Sequence, residues 1–198
     1  MTLPRKEQII DLHRKYAQNE HLFDLVFTHC VIVADIAMWC ANNITQQKIN
    51  RELLKTASLL HDIGAYAFLD KKGKSMDDKK YPQHALFGAK ILADEGIDKN
   101  VVEIVESHVL LGLTKQEIRK GSWQLPYRDY EPTSIEGRLL CYADRFHSKH
   151  PVFNSFNSFI KRLEKDLPLQ AKKFEAWSKE FGIPDIGKFA EKYKHPVR

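Results

Sequence analysis

Six residues with metal-binding chemistry are set into otherwise apolar stretches of this 198-residue chain: His29, His61, Asp62, His84, His108 and Asp144. A buried imidazole or carboxylate is costly unless something pairs it. Six of them, spread over five segments, are most economically satisfied by one shared partner. The donor set is imidazole and carboxylate without thiolate, which speaks against a closed, cysteine-rich structural zinc site. It suits a borderline divalent ion instead: Mn, Fe, Zn, Ni or Co. His29, His61, Asp62 and Asp144 can form one mixed nitrogen and oxygen site with positions open for water, and His84 and His108 can hold a second ion with Asp62 bridging. Two ions about 3.5–4 Å apart would activate a hydroxide and clamp the oxygens of an in-line displacement at phosphorus.

Helices must carry these residues. His29 has Leu22, Leu25, Val26, Ile32, Val33 and Ile36 at helical offsets, so it points inward. One such histidine is ordinarily a satisfied core residue. The recurrence at His84 (with Phe87, Gly88 and Ile91) and His108 (with Val101, Ile104, Val105 and Leu111) favours ligation. His84 also follows Pro82 in a first turn, where the helix dipole disfavours imidazolium and keeps the neutral, ligand-competent ring. Apolar residues recur at helical spacing nearly throughout and alternating runs are scarce, so the fold class is all-α.

The pattern predicts a helix from near Pro4 to about Gln18 and a long central one over residues 20–42. Asn50 caps a third, RELLKTASLLHDIG, that stops at Gly64, and a polar loop follows over 65–80. Pro82 opens QHALFGAKILADEG, which ends at Gly96; Asp98 caps KNVVEIVESHVLLG, and Thr114 caps TKQEIRKG. SWQLPYRDYEPT reads as an ordered, pocket-shaping loop, and Thr133 or Ser134 starts the helix carrying Asp144. Two or three amphipathic helices fill 154–193, broken at Pro168 and at Gly182 to Pro184.

The length suits one domain over 1–198, with a core over about 20–150 and a helical extension over about 151–198. The start, MTLPRKEQIIDLHRKY, breaks every apolar run with charge, so neither a secretory signal nor a membrane span is expected and the location expected is cytoplasmic. Cys30, Cys40 and Cys141 form no CxxC pair and read as reduced core thiols. The net charge of +5 lies mostly beyond residue 160, where ten Lys/Arg face six Asp/Glu, and a solvated helix face accounts for it. The segment KKGKSMDDKK, close after His61-Asp62, could draw phosphate-bearing substrates toward the site. No helix-turn-helix, zinc-finger or RNA-binding signature supports a nucleic-acid partner. Phe153, Phe156, Phe159 and Trp177 are expected to pack on the core, with a homodimer as the alternative.

The segments THC at His29, LLHDIG at His61-Asp62 and CYADRF at Asp144 resemble the HD superfamily of metal-dependent phosphohydrolases over roughly residues 20–150. QHALFGA at His84 and ESHVLLG at His108 resemble the subset whose two additional histidines support a dinuclear centre, with diadenosine tetraphosphate hydrolases and cyclic-dinucleotide phosphodiesterases among its members. The chain departs from both: it has no GYP tripeptide by the later histidines, and VLLGLT follows His108 in place of a Thr-Gly-rich segment. The resemblance therefore implies an HD-domain helical bundle, one or two divalent ions and phosphoester chemistry, and leaves the substrate unnamed. It implies a metal-activated water that hydrolyses a phosphomonoester or phosphodiester in a small nucleotide-like molecule. His61 and Asp62 serve the reaction, Asp62 also orienting the water. Arg145 and Lys149, expected on the same helix just after Asp144, contact phosphate. His147, one turn after Asp144, protonates the leaving group or supports a ligand. The alternative is a non-catalytic nucleotide-binding or regulatory module that keeps the bundle and the metal.

Overall fold

Residues 3–198 are described in the computed structural model; the first two residues of the expected single-domain span lie outside them. The helices are α1 (Lys6–Tyr16), α2 (Glu20–Asn42), α3 (Arg51–Leu60), α4 (His84–Asp94), α5 (Lys99–Glu106), α6 (Lys115–Gly121), α7 (Ile135–Asp144), α8 (Phe156–Asp166), α9 (Pro168–Phe181) and α10 (Ile186–Tyr193). Two short 3-10 turns, Ile63–Ala67 and Tyr81–Gln83, and one small antiparallel hairpin, β1 (His147–Ser148) with β2 (Val152–Phe153), complete the order among the described residues. The fold class is all-α.

Side-chain caps define helix starts. Asn50, Asp98, Thr114 and Ser134, as the sequence pattern predicts, and Asn19, which it does not single out, each accept a backbone N–H of the first turn of α3, α5, α6, α7 and α2 respectively. Such caps are worth about 1 kcal/mol each. At α6 the Glu117 side chain reaches back to the Thr114 amide at 3.0 Å, closing a capping box. Helix α2 is long and apolar enough to cross a membrane by length and composition. Here it is the central helix, with α3 and α7 packed along it and Leu22, Val26, Ile32 and Ile36 fully buried.

Three local outcomes differ from the sequence expectation, and each bears on the site. Helix α3 ends at Leu60 rather than Gly64, and a 3-10 turn, Ile63–Ala67, follows His61 and Asp62. Gly64 is no left-handed helix stop; a Cβ there would lie 2.1 Å from the His84 carbonyl oxygen and 2.4 Å from the Gly88 nitrogen. Glycine is required because the turn presses directly on the α4 backbone. Helix α5 stops at Glu106, six residues early: the Ser107 hydroxyl bonds back to the Glu103 and Ile104 carbonyls, and Leu110 and Gly112 take positive φ values of 54° and 82°. His108 is consequently on a loop. Helix α7 ends at Asp144, so Arg145 is its C-cap and His147 and Lys149 belong to the hairpin.

The extension folds back on the core. Phe153, Phe159, Phe174 and Trp177 are buried in the same apolar cluster as α2, and Phe156 packs against it. Tyr142 joins the two layers, with its ring 5.1 Å from Phe174 and its hydroxyl donating to the Gly182 carbonyl at 2.8 Å. All three cysteines are free and buried; burial pushes the Cys141 thiol up to about 12.

Candidate metal centre

Five elements deliver the six polar residues to one point. His29 comes from the middle of α2, His61 and Asp62 from the end of α3, His84 from the first residue of α4, His108 from the loop after α5, and Asp144 from the last residue of α7. All are buried or nearly so. Asp62 divides them. Its Oδ2 faces His29 Nε2 at 3.2 Å and His61 Nε2 at 3.3 Å, with Asp144 Oδ1 completing that side at 3.0 Å from His29 Nε2. Its Oδ1 faces His84 Nε2 at 3.1 Å and His108 Nε2 at 3.7 Å. The sets His29, His61, Asp144 and His61, Asp62, His108 each converge closely enough to hold an ion.

Hydrogen bonding at the far ring nitrogens fixes what the near ones present. His61, His84 and His108 each turn Nδ1 to a backbone carbonyl, of Ser58 at 2.8 Å, Tyr81 at 2.6 Å and Val105 at 2.6 Å. A carbonyl only accepts, so Nδ1 carries the proton and the neutral ring offers an Nε2 lone pair to the cluster. Yet His84 and His108 Nε2 lie 3.0 Å apart, and His29 and His61 Nε2 3.3 Å apart. Facing lone pairs need a proton or a cation between them.

A proton is disfavoured at most of these rings. Burial lowers His29 and His108 to about 3 and lowers His84 as well, so these three stay neutral, as ligands must. At His61 burial acts the other way from the neighbouring Asp62 and Cys30, which outweigh it and lift the ring to about 10. Burial also works against the Asp62 carboxylate, but Lys149 and His61 hold it well below the usual carboxylate range. Asp62 Oδ1 is buried with no well-aligned hydrogen-bond donor, despite its closeness to His84. Two ligand atoms at ~2.1 Å from one ion and at right angles are ~3 Å apart. The spacing, the lone pairs and the orphaned oxygen all fit a divalent cation.

Around the cluster, the structure corrects the placement of the expected cations. Lys149 projects from the hairpin turn and pairs with Asp62, its charge favoured by that carboxylate against the cost of burial. Arg145 pairs with Asp144, and its buried Nε has no partner. Both line a cavity of about 480 Å³ that opens onto His29, His84, His108 and Asp144. His147 is buried behind His29: the two Nδ1 atoms are 2.9 Å apart, and His147 Nε2 meets His195 Nδ1 at 3.0 Å. This imidazole row reaches the surface through His195, a residue the sequence does not single out. Nor does it single out Tyr81, Arg162 or Arg198, which also line the cavity. No periodicity marks them; loops and the folded-back extension place them.

The HD domain family model matches residues 26–149, and this chain belongs to that family. It is 34% identical over 150 residues to a tRNA (cytidine(56)-2'-O)-methyltransferase of Picrophilus torridus, covering 76% of this chain and 39% of that protein. It is 32% identical over 149 residues to an uncharacterized protein of Methanocaldococcus jannaschii, covering 72% and 80% of the two. Ribonuclease Y of Symbiobacterium thermophilum is 28% identical over 170 residues, which is 85% of this chain and 26% of that one. The chain thus spans well under half of the methyltransferase and ribonuclease it matches. Among solved structures, the HD domain of the L. monocytogenes phosphodiesterase PgpH aligns with a TM-score of 0.53 and 14% identity over 93% of this chain and 94% of that one. The same domain in complex with cyclic-di-AMP aligns at a TM-score of 0.53 and 15% identity, over 98% and 96%. That likeness is one of fold.

Proposed function

We propose that this chain is a metal-dependent phosphohydrolase that cleaves a phosphomonoester or phosphodiester bond in a small nucleotide-like substrate. The observation that carries the reading is the division of Asp62, one oxygen toward His29 and His61 and the other toward His84 and His108. His29, His61, Asp62 and Asp144 would hold one ion, and His84, His108 and Asp62 a second. When bound, such ions lower the pKa of a coordinated water toward ~7 and polarise a phosphoryl oxygen. The chain's own groups do the rest. Asp62 orients the attacking water, and Arg145 and Lys149 neutralise phosphate oxygens in the cavity. His29, held from behind by His147, stays fixed in its ligating tautomer. Family membership supports the chemistry, as do relatives named as a ribonuclease and a phosphodiesterase.

One observation favours the second reading, a binding or regulatory module: the domain is also similar to part of proteins named for methyl transfer. Purified protein loaded in turn with Mn, Fe, Co, Ni, Zn or Mg, and given nucleotides, cyclic dinucleotides, model phosphoesters and a short RNA, separates the two. Hydrolysis that needs metal and disappears in His61→Ala and Asp62→Ala is the expected result. Nucleotide binding without turnover under every metal establishes the module instead, and turnover that survives both substitutions belongs to a contaminant.

A further inference from the structure

Arg162 and Arg198 stand in the wall of the cavity that holds His29, His84, His108 and Asp144. Both lie beyond residue 149, outside the stretch that the family model matches. Several cations of the extension have carboxylate partners, Lys173 with Glu131 at 2.9 Å, Lys179 with Glu175 at 3.1 Å and Lys192 with Asp35 at 2.5 Å, and Lys161, Lys165, Lys172 and Lys194, unpaired among the described residues, do not line the cavity. Among the described residues, no carboxylate oxygen lies within 4.0 Å of either the Arg162 or the Arg198 guanidinium. Burial, then the Arg198 charge, lowers Arg162, with Asp166 a weaker opposing influence. Like charges held close cost free energy that an anion between them returns.

The placement of Arg198 is built. Its Nε donates to Asn154 Oδ1 at 2.7 Å, and Asn154, 3% exposed, is itself oriented by donating Nδ2 to the Arg145 carbonyl at 2.8 Å. The Arg198 backbone pairs with Phe153 and Ser155 at 2.9 Å each, and the Ser158 hydroxyl donates to the Arg198 carbonyl at 2.7 Å. Arg162 is steadied over the Phe159 ring at 4.8 Å. Arg145, whose buried Nε has no partner, lines the same cavity as this pair and Asp144.

We propose that Arg162 and Arg198 form a second anion subsite, which takes a non-scissile phosphate while the scissile one lies at the histidine and aspartate cluster. The inference rests on the phosphohydrolase reading and deepens it: the substrate class is a nucleotide carrying two separate phosphate groups. Water adds to the scissile phosphorus, the ester P–O bond breaks, the alcohol oxygen keeps a proton from the water, and the product retains the arginine-held phosphate. The extension, rather than the metal-binding core, then sets substrate choice.

Equilibrium binding of adenosine 3′,5′-bisphosphate, adenosine 5′-monophosphate and a 5′-phosphorylated diadenosine dinucleotide, with EDTA present, reads the subsite without metal or turnover. The wild type is expected to bind the bisphosphate at least about tenfold tighter than the monophosphate, the equivalent of one charge-assisted pair of hydrogen bonds. That ratio is expected to fall near one in Arg162→Gln, which breaks no internal hydrogen bond, and in Arg162→Gln with Arg198→Gln. The dinucleotide tells an internucleotide second phosphate from a terminal one by which ligand shows the preference. A wild-type ratio near one for both ligands, or a preference unchanged in both variants, overturns the subsite. Hydrolysis assays report separately: no turnover with the ratio intact removes the phosphohydrolase reading and leaves the subsite standing.

Discussion

Asp62 is the residue on which both halves of the centre depend, because each of its oxygens faces a different pair of imidazoles. Asp62→Asn is therefore expected to weaken both ions, by more than the ~10–100-fold that loss of an outer partner typically costs. Metal titration would show one weakened and one intact site if the division is wrong. His147→Ala should cost that ~10–100-fold through His29 alone, and His147→Gln, whose amide oxygen can accept the same N–H, should recover part of it. A third imidazole tests burial away from the centre. His13 is sealed between Tyr66 and Leu59, at 2.9 and 2.8 Å, and burial lowers it to about 4. Its folded pKa lies below the unfolded ~6.5, so the unfolded state binds the proton better. The stability it confers is complete above ~6.5 and is lost as pH falls toward about 4, by roughly 2–3 kcal/mol. Urea midpoints at pH 7 and 4.5 should show this extra acid loss in the wild type and not in His13→Gln; equal losses refute it. At this scale the six cluster residues are legible in sequence, since a His or Asp amid Leu, Val and Ile demands a partner. His147 is marked by its place just after Asp144, although its pairing with His29 is not; His195, Arg162 and Arg198 are unmarked, because only a returning tail brings them in.

Among the elements, the contact between the 3-10 turn after Asp62 and the start of α4 sets the distance between the two halves of the site. Gly64 makes that approach, with the His84 carbonyl and Gly88 backbone against it. Gly64→Ala should destabilise the fold by ~1–3 kcal/mol or more through overpacking. By moving α4, it should weaken the ion at His84 and His108 more than the one at His29. Denaturation and metal titration of the variant check both, and equal loss at the two sites counts against this geometry. Helix starts were legible because Asn50, Asp98, Thr114 and Ser134 act locally. Helix ends were not. His108 fits the α5 periodicity, yet the Ser107 back-bonds and the positive φ of Leu110 end the helix at Glu106 and swing the ring toward His84. Gly64 likewise resembles a helix stop in sequence, and only the packed α4 backbone shows its purpose.

Taken whole, the molecule ties a helical core common to its family to an extension that closes the cavity. The tail adds a backbone connection alongside β2, through Phe153 N to the Pro196 carbonyl at 2.8 Å, and places His195 and Arg198 against the core hairpin. The charge surplus beyond residue 160 was visible in the sequence as a solvated face; that two of its cations, Arg162 and Arg198, line the cavity depends on how the chain returns. Cation binding links to the stability of this whole unit. At a free metal concentration of ~100 Kd, one ion adds about 2.7 kcal/mol, a rise in midpoint of roughly 5–10 °C for a chain of this size. Because an ion displaces the proton that Asp62 and Cys30 favour on His61, the gain should shrink as pH falls. Thermal scans with and without chelator at two pH values measure it, and a midpoint indifferent to metal speaks against the linkage.

Whether the imidazole and carboxylate arms meet around cations can be read from anomalous diffraction of crystals grown with manganese. Anomalous density is expected between the Nε2 atoms of His29 and His61 and Asp144 Oδ1, with a second peak between His84 and His108, Asp62 touching both. Crystals grown in excess manganese that show no anomalous peak there, with Lys149 still on Asp62 and the rings still paired Nε2 to Nε2, contradict it.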